Sequence, residues 1–268
     1  MARSPSAGRA RFAFTVLAFG YAFLYLPIVL VIVYSFNESR LVTVWVGFST
    51  KWWSALFANE AMLSAAWLSL RIALVSATAA AVIGLAAGYA LARAPRFFGR
   101  TLFGSLVIAP MVMPEVVMGI SMLLLFVGSE RLLGGPDRGF LTIAIAHITF
   151  SIAFVAVVVQ ARLVDFDRSL EEAAMDLGAT PLVVFRTVTL PLILPAVASG
   201  WLLAFTLSLD DLILTQFVAG AQSQTLPMRV YSSVRLGVDP QINALATIVV
   251  AIAAGALILS GWLTRRRA

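Results

Sequence analysis

Cysteine is absent from the chain, which excludes disulfide bridges, a thiolate nucleophile and cysteine-bound zinc or iron–sulfur sites. Histidine occurs once, as His147, and a single imidazole cannot build a metal site alone. Lysine also occurs once, in Phe48-Ser49-Thr50-Lys51-Trp52, without the glycines of a phosphate-binding loop. If ATP drives this protein, another chain binds it. Charge is scarce as well: 12% of the 268 residues carry it, against about 25% in an average soluble domain.

Apolar residues fill that space. They make up 61% of the chain, and the mean hydropathy of +0.96 means more apolar surface than a water-soluble fold can hide. Charges cluster between uncharged runs, and a membrane-spanning helix needs roughly 20 apolar residues. The pattern predicts an all-α polytopic membrane protein, a single domain over residues 1–268. Its six transmembrane helices fall at 12–36, 65–92, 101–129, 139–161, 190–214 and 240–264. The second could begin earlier, because 62–70 already reads as helical. Arg3, Arg9 and Arg11 precede the first run, as in a signal peptide. That run is about twice the usual apolar length of a secretory signal and lacks a small-residue cleavage site, so it is expected to stay as the first helix.

Six crossings put both termini on one side. That side holds Arg3, Arg9, Arg11, Arg93, Arg96, Arg100, Arg162, Arg168, Arg186, Arg265, Arg266 and Arg267; the other holds Arg40, Lys51, Arg71, Arg131, Arg138, Arg229 and Arg235. Twelve against seven predicts cytoplasmic termini. The net charge of +6 is spread through these short loops rather than along one amphipathic face, so orientation in a bilayer explains it and nucleic acid is not expected as a partner. Trp45, Trp52 and Trp53 in the long outward segment suit a membrane-interface belt.

The only substantial cytoplasmic loop, 165–189, is more patterned than a connector needs. Ser169-Leu170-Glu171-Glu172 fits a capping box, with Ser169 as N-cap and Glu172 reaching back. Leu170, Ala173, Ala174 and Leu177 recur at helical spacing as a small apolar face, and Gly178 stands where a left-handed residue would stop the helix. Thr180-Pro181 then reads as an N-cap and first helical residue of a second short helix, set at an angle to the first. Pro191 and Pro195 mark the start of the fifth span.

Glu172-Ala173-Ala174, three residues, Gly178, nine residues, then Val188-Thr189-Leu190-Pro191 resembles the EAA loop of bacterial ABC importer permeases of the MetI-like family, with valine at position 188 where isoleucine is usual. The resemblance implies a helical permease without its own ATPase or catalytic site. It also implies that Glu172, Ala173, Ala174, Gly178, Leu190 and Pro191 belong to an element docking in a cleft of the ATPase. No cofactor or metal is expected.

Acidic residues inside spans cost about 2.5–3.5 kcal/mol at a helix centre on insertion scales, so each needs a reason. Glu115 follows Pro110-Met111-Val112-Met113-Pro114, where two prolines remove backbone donors. Broken backbone of that kind is tolerated in a membrane where it faces protein or a wet cavity. Glu115 then meets either a transport path or a neighbouring helix. Asp210 and Asp211 diverge by about 100° on a helix, with Thr206 one turn before Asp210. Either one aspartate faces the path and the other a neighbouring helix, or both are solvated at the outer interface. His147 reads as a hydrogen-bonded packing residue.

Carboxylates beside a path favour a cation. Phe205 to Asp211, Thr225-Leu226-Pro227-Met228, Tyr231 to Val238 and Pro240 to Thr247 are similar to putrescine/spermidine permeases. That resemblance covers about 110–248 and implies a polyamine delivered by a periplasmic binding protein, a second permease subunit in a heterodimer, two ATPase subunits and a place in the bacterial inner membrane. The alternatives are an importer permease for ferric iron, sulfate or a phosphonate, an ion channel or scaffold that works without ATP, and an intramembrane hydrolase. The last lacks a nucleophile with a base on a facing helix: Ser151 lies one turn from His147 on the same one.

Overall fold

The computed structural model describes residues 7–41, 44–94, 97–237 and 239–265, so Arg3, Arg96, Arg266 and Arg267 of the charge count lie outside the described residues. In chain order the helices are α1 (Ala7–Tyr34), α2 (Lys51–Ala58), α3 (Glu60–Arg93), α4 (Arg100–Val112), α5 (Glu115–Leu133) and α6 (Phe140–Val164). There follow α7 (Ser169–Asp176), α8 (Pro181–Val184), a π-helical turn (Phe185–Thr189), α9 (Leu190–Asp210), α10 (Ile213–Val218), α11 (Leu226–Leu236) and α12 (Gln241–Arg265). Among the described residues the only paired extended backbone is an isolated bridge between Asn37 and Phe48. The all-α expectation holds. Five stretches are long and apolar enough to cross a membrane: 11–34, 60–93, 115–133, 140–164 and 181–210. α12 matches the predicted sixth run in position and has 25 residues.

The chain groups into two compact units, residues 1–63 with 230–268, and residues 64–229. In the terminal unit, α1 exposes Phe12, Phe19, Phe23 and Leu24 along its length, a surface suited to lipid rather than water. Asn37 is sealed there and organises the loop after α1, its Nδ2 donating to the Val44 carbonyl at 2.8 Å and its Oδ1 accepting from the Val46 N–H at 3.1 Å. Phe36 stacks on both Phe48 and Trp53.

The central unit is built round α6, which buries eleven residues, most of them small. Small residues let helix backbones approach where lipid offers no hydrophobic drive to associate. Gly84 and Gly88 of α3, four apart, lie against it. A Cβ at Gly84 would stand 2.7 Å from Val155 Cβ, and one at Gly88 2.7 Å from the Ala156 carbonyl oxygen. Two apolar clusters result. Ala77 and Ala80 of α3, Val155, Val159 and Leu163 of α6, and Ile193 and Ala204 of α9 form the first. Ile72, Met118, Phe126, Ile143, Ala146, Leu214 and Val218 form the second, drawing in α5 and α10.

Three boundaries differ from the sequence expectation. The third run, expected as one helix over 101–129, is two, because Met113 and Pro114 are both extended (ψ 138° and 132°). Pro110 stays inside α4, so only the second proline breaks the backbone. The fifth helix ends at Asp210 rather than 214. Asp211 turns extended and its carboxylate takes the N–H groups of Leu214 (3.3 Å) and Thr215 (2.7 Å), starting the separate helix α10. The second short helix expected in the loop is not separate from the fifth span: α8, the π turn and α9 form one 30-residue helix. At 1.5 Å per residue it is about 45 Å long. The π turn sits where Pro191 has no N–H to give the preceding turn, and the Leu190 N–H reaches the Phe185 carbonyl five residues back instead.

Candidate functional site

The patterned loop expected to be cytoplasmic begins at Asp167, whose Oδ1 accepts the Ser169 N–H at 2.9 Å. This replaces the expected capping box: Ser169 is the first helical residue, Arg168 holds the N-cap position, and no side chain caps that end from there. The Ser169 N–H and hydroxyl both hold the Asp167 carboxyl below its ordinary value. α7 then ends as predicted. Gly178 adopts φ +87°, its N–H donates to the Met175 carbonyl at 2.8 Å, and the Ala179 N–H donates to the Ala174 carbonyl at 3.1 Å. That is a Schellman closure, which needs a left-handed residue at this point. Thr180, extended at ψ 155°, precedes Pro181 at the first helical position, again as predicted.

The expected apolar face of α7 points outward. Leu170 and Leu177 are 48% and 90% exposed, and Met175, Leu182 and Val183 are exposed with them. Glu172 and Ala173 are exposed and Ala174 half-buried; Leu190 is half-buried and Pro191 exposed. The side of α7 that meets the rest of the unit carries one buried residue, Glu171. Sequence reasoning missed it, treating it as a spacer inside the capping box. The available signal was faint: two adjacent glutamates cannot share a helix face, and Arg93 waits at the end of a span.

The fifth helix carries the second group of predicted residues at its far end. Pro195, Ser199, Leu202, Thr206 and Asp210 recur at three- and four-residue spacing and are all exposed. Asp211 turns the other way. Its Oδ2 accepts the Thr215 hydroxyl at 2.6 Å and lies 3.3 Å from His147 Nε2. His147, 2% exposed, also has Nε2 2.9 Å from Thr215 Oγ1 and Nδ1 2.6 Å from Ser208 Oγ. Thr215 spends its proton on Asp211, so Nε2–H is the donor toward Thr215 and Asp211. His147 is therefore the packing residue expected of it, and Asp211 is fixed within the fold.

Glu115 opens α5 at the break in the third run, where it is exposed and has no hydrogen-bond or ion-pair partner among the described residues. A cleft of about 260 Å³ opens at the same break, lined by Pro110, Met113, Met118, Ser121, Met122 and Thr149 among others. Extended backbone beside a cavity is the arrangement that membrane depth tolerates.

Residues 80–267 match the family described as the binding-protein-dependent transport system inner membrane component. The chain belongs to that family. Among relatives of this permease, the putrescine transport system permease protein PotI of Escherichia coli strain K12 is 53% identical over 261 residues, 97% of this chain and 92% of that one. The spermidine/putrescine transport system permease protein PotC of the same strain is 44% identical over 245 residues, 91% and 90% of the two chains. Among solved structures, a bacterial ABC transporter that imports the acidic polysaccharide alginate superposes with a TM-score of 0.72 at 18% identity, covering 99% of both chains. The MetNI methionine ABC transporter in inward-facing conformations gives 0.61 at 19% identity, covering 76% of this permease and 94% of that chain. At those identities the likeness speaks for the fold alone.

Proposed function

We propose that this permease is the membrane-spanning subunit of an ATP-binding-cassette importer that carries a polyamine, putrescine or spermidine. In this reading it pairs with a second, different permease subunit, receives solute from a periplasmic binding protein and is driven by two ATPase subunits. The whole chain acts as one transmembrane domain with both termini in the cytoplasm. The observation that supports this most is the 53% identity, over nearly the full chain, to a putrescine transport permease.

The geometry supports the same reading at both ends of the fifth helix. On the cytoplasmic side, a short helix with exposed Leu170, Met175 and Leu177 beside exposed Glu172 and Asp176 offers an ATPase an apolar surface with acidic charges. At the other end Asp210 and Thr206 are exposed, as is Glu115 at the start of α5, and partly dehydrated carboxylates attract a polyvalent cation strongly. Alternating access follows if ATP-driven movement of α7 rocks the spans around the path these carboxylates face.

Uptake of labelled putrescine is the test. Cells lacking their own polyamine importers receive this chain with its companion permease, ATPase and binding protein. The reading expects uptake that unlabelled putrescine or spermidine competes away and that sulfate, phosphonate and ferric iron leave untouched. Normal competition by one of those other solutes, or no polyamine uptake at normal expression, would overturn the polyamine assignment.

A further inference from the structure

α7 has eight residues, and Glu171 is its one buried position. A helix so short has little stability of its own, so what fastens it decides how it moves. The fastening is a carboxylate with its two oxygens engaged separately. Oε1 accepts the Thr189 hydroxyl at 2.7 Å; Oε2 lies 3.0 Å from Arg93 Nε. The Arg93 and Glu171 side chains are only 8% and 11% exposed, and Thr189 is fully sealed. The Arg93 N–H is turned off the oxygen, so this arm is a contact of charges rather than an aligned hydrogen bond.

The three partners sit at mechanically distinct places. Arg93 is the last residue of α3, and its guanidinium lies 5.5 Å over the ring of the buried Phe166, just beyond α6. Thr189 closes the π turn where the cytoplasmic extension becomes the fifth span. Arg168 Nη2 and Arg100 Nη2 donate to the Ala92 and Leu91 carbonyls at 3.3 and 2.6 Å, holding the same end of α3. One carboxylate thus joins α7 to the second span and to the foot of the fifth.

Burying opposite charges is a poor way to gain stability, since an apolar pair of similar volume often does as well or better. It is a good way to fix orientation. A leucine in place of Glu171 could slide along its neighbours, whereas a carboxylate held from two directions cannot tilt without stranding a charge. We infer that Glu171 is the positioning residue of coupling: it makes α7, the end of α3 and the π turn of the fifth helix move as one body when the ATPase displaces α7. Glu172, about 100° round the helix and exposed, is left for the partner. This inference rests on the importer reading above.

The experiment is reconstitution of the complete importer in proteoliposomes, measuring polyamine taken up per ATP hydrolysed. Glu171→Ala is expected to lower that ratio roughly tenfold, within the range by which substitutions along a coupled network act. The ATPase should still co-purify, because the exposed face of α7 is untouched. The doubly apolar variant Glu171→Met with Arg93→Met removes the stranded charge and guards against mere unfolding; its ratio should stay low although its expression returns. The cysteine-free background permits spin labels at Val82 of α3 and at Ser169, the first residue of α7, both exposed and outside the Leu170, Met175 and Leu177 surface, whose distance distribution should be narrow in the wild type through the ATP cycle and broad in Glu171→Ala. A normal uptake ratio in the double variant, or an unchanged distribution in Glu171→Ala, overturns the inference and leaves the importer reading standing. Wild-type uptake that consumes no ATP overturns both.

Discussion

The chain contains two adjacent acidic pairs, Glu171-Glu172 in α7 and Asp210-Asp211 at the far end of the helix that follows, and both are sorted in the same way. In each, one carboxylate turns inward and is held by named side chains, Arg93 and Thr189 for Glu171, His147 and Thr215 for Asp211. The other, Glu172 or Asp210, is exposed. In α7 neighbouring helical positions diverge by about 100°, and at Asp211 the chain leaves the helix and turns extended, so in each case a doubled acid can brace the fold and present a charge at once. The pairs differ in what they brace. Glu171 joins separate helices across a charge pair, whereas Asp211 serves mainly as the cap of α10 and only secondarily reaches His147.

That difference sets the order of effects. Glu171→Ala strands the buried guanidinium of Arg93, and removal of one partner from a buried pair costs about 3–5 kcal/mol. The prediction is a marked fall in the thermal midpoint of the purified permease, with Glu172→Ala within about half a kcal/mol of wild type, as at ordinary surface sites. Equal losses from the two would break the comparison. Asp211→Ala should come next, at about 1–3 kcal/mol for unpaired N–H groups and a lost cap. Asp210→Asn should leave the midpoint unchanged and lower putrescine uptake instead; unchanged uptake at normal expression would remove Asp210 from the path.

The sequence made the inward members hard to see and the outward ones easy. Gly178 and Pro181 were legible because backbone chemistry is local: a left-handed closure favours glycine and a helix start favours proline. Six apolar runs were legible because a bilayer demands length. Glu171 was not, because its partners stand 78 positions before it and 18 after, and no period links them. The continuous fifth helix was hidden behind Pro191, which reads as a breaker but is absorbed by a π turn. α10 was missed because its six residues extend an apolar run, and only the cap from Asp211 separates them from the span.

Smaller effects sharpen the half that holds α7. At Gly178 a side chain would meet open space but an unfavourable φ of +87°. Gly178→Asp should therefore cost about 1–2 kcal/mol of local order, insert normally in the membrane, and abolish ATPase association in a pull-down. The smallest effect belongs to Asp167. Its carboxyl is held below the ordinary value by the Ser169 N–H and hydroxyl, so its support for the start of α7 is present at neutral pH and lost as pH falls through that lowered value. Hydrogen exchange in α7 should quicken under acid in the wild type, and Asp167→Ala should exchange faster at neutral pH with less of that acid response.

The reading of this chain as an ATP-driven permease turns on whether work enters through α7. Proteoliposomes loaded with ATP and holding the complete importer should accumulate labelled putrescine only when the binding protein is outside, and Gly178→Asp should stop accumulation while the protein remains in the membrane. Accumulation that continues in that variant, or in liposomes without ATP, would contradict it.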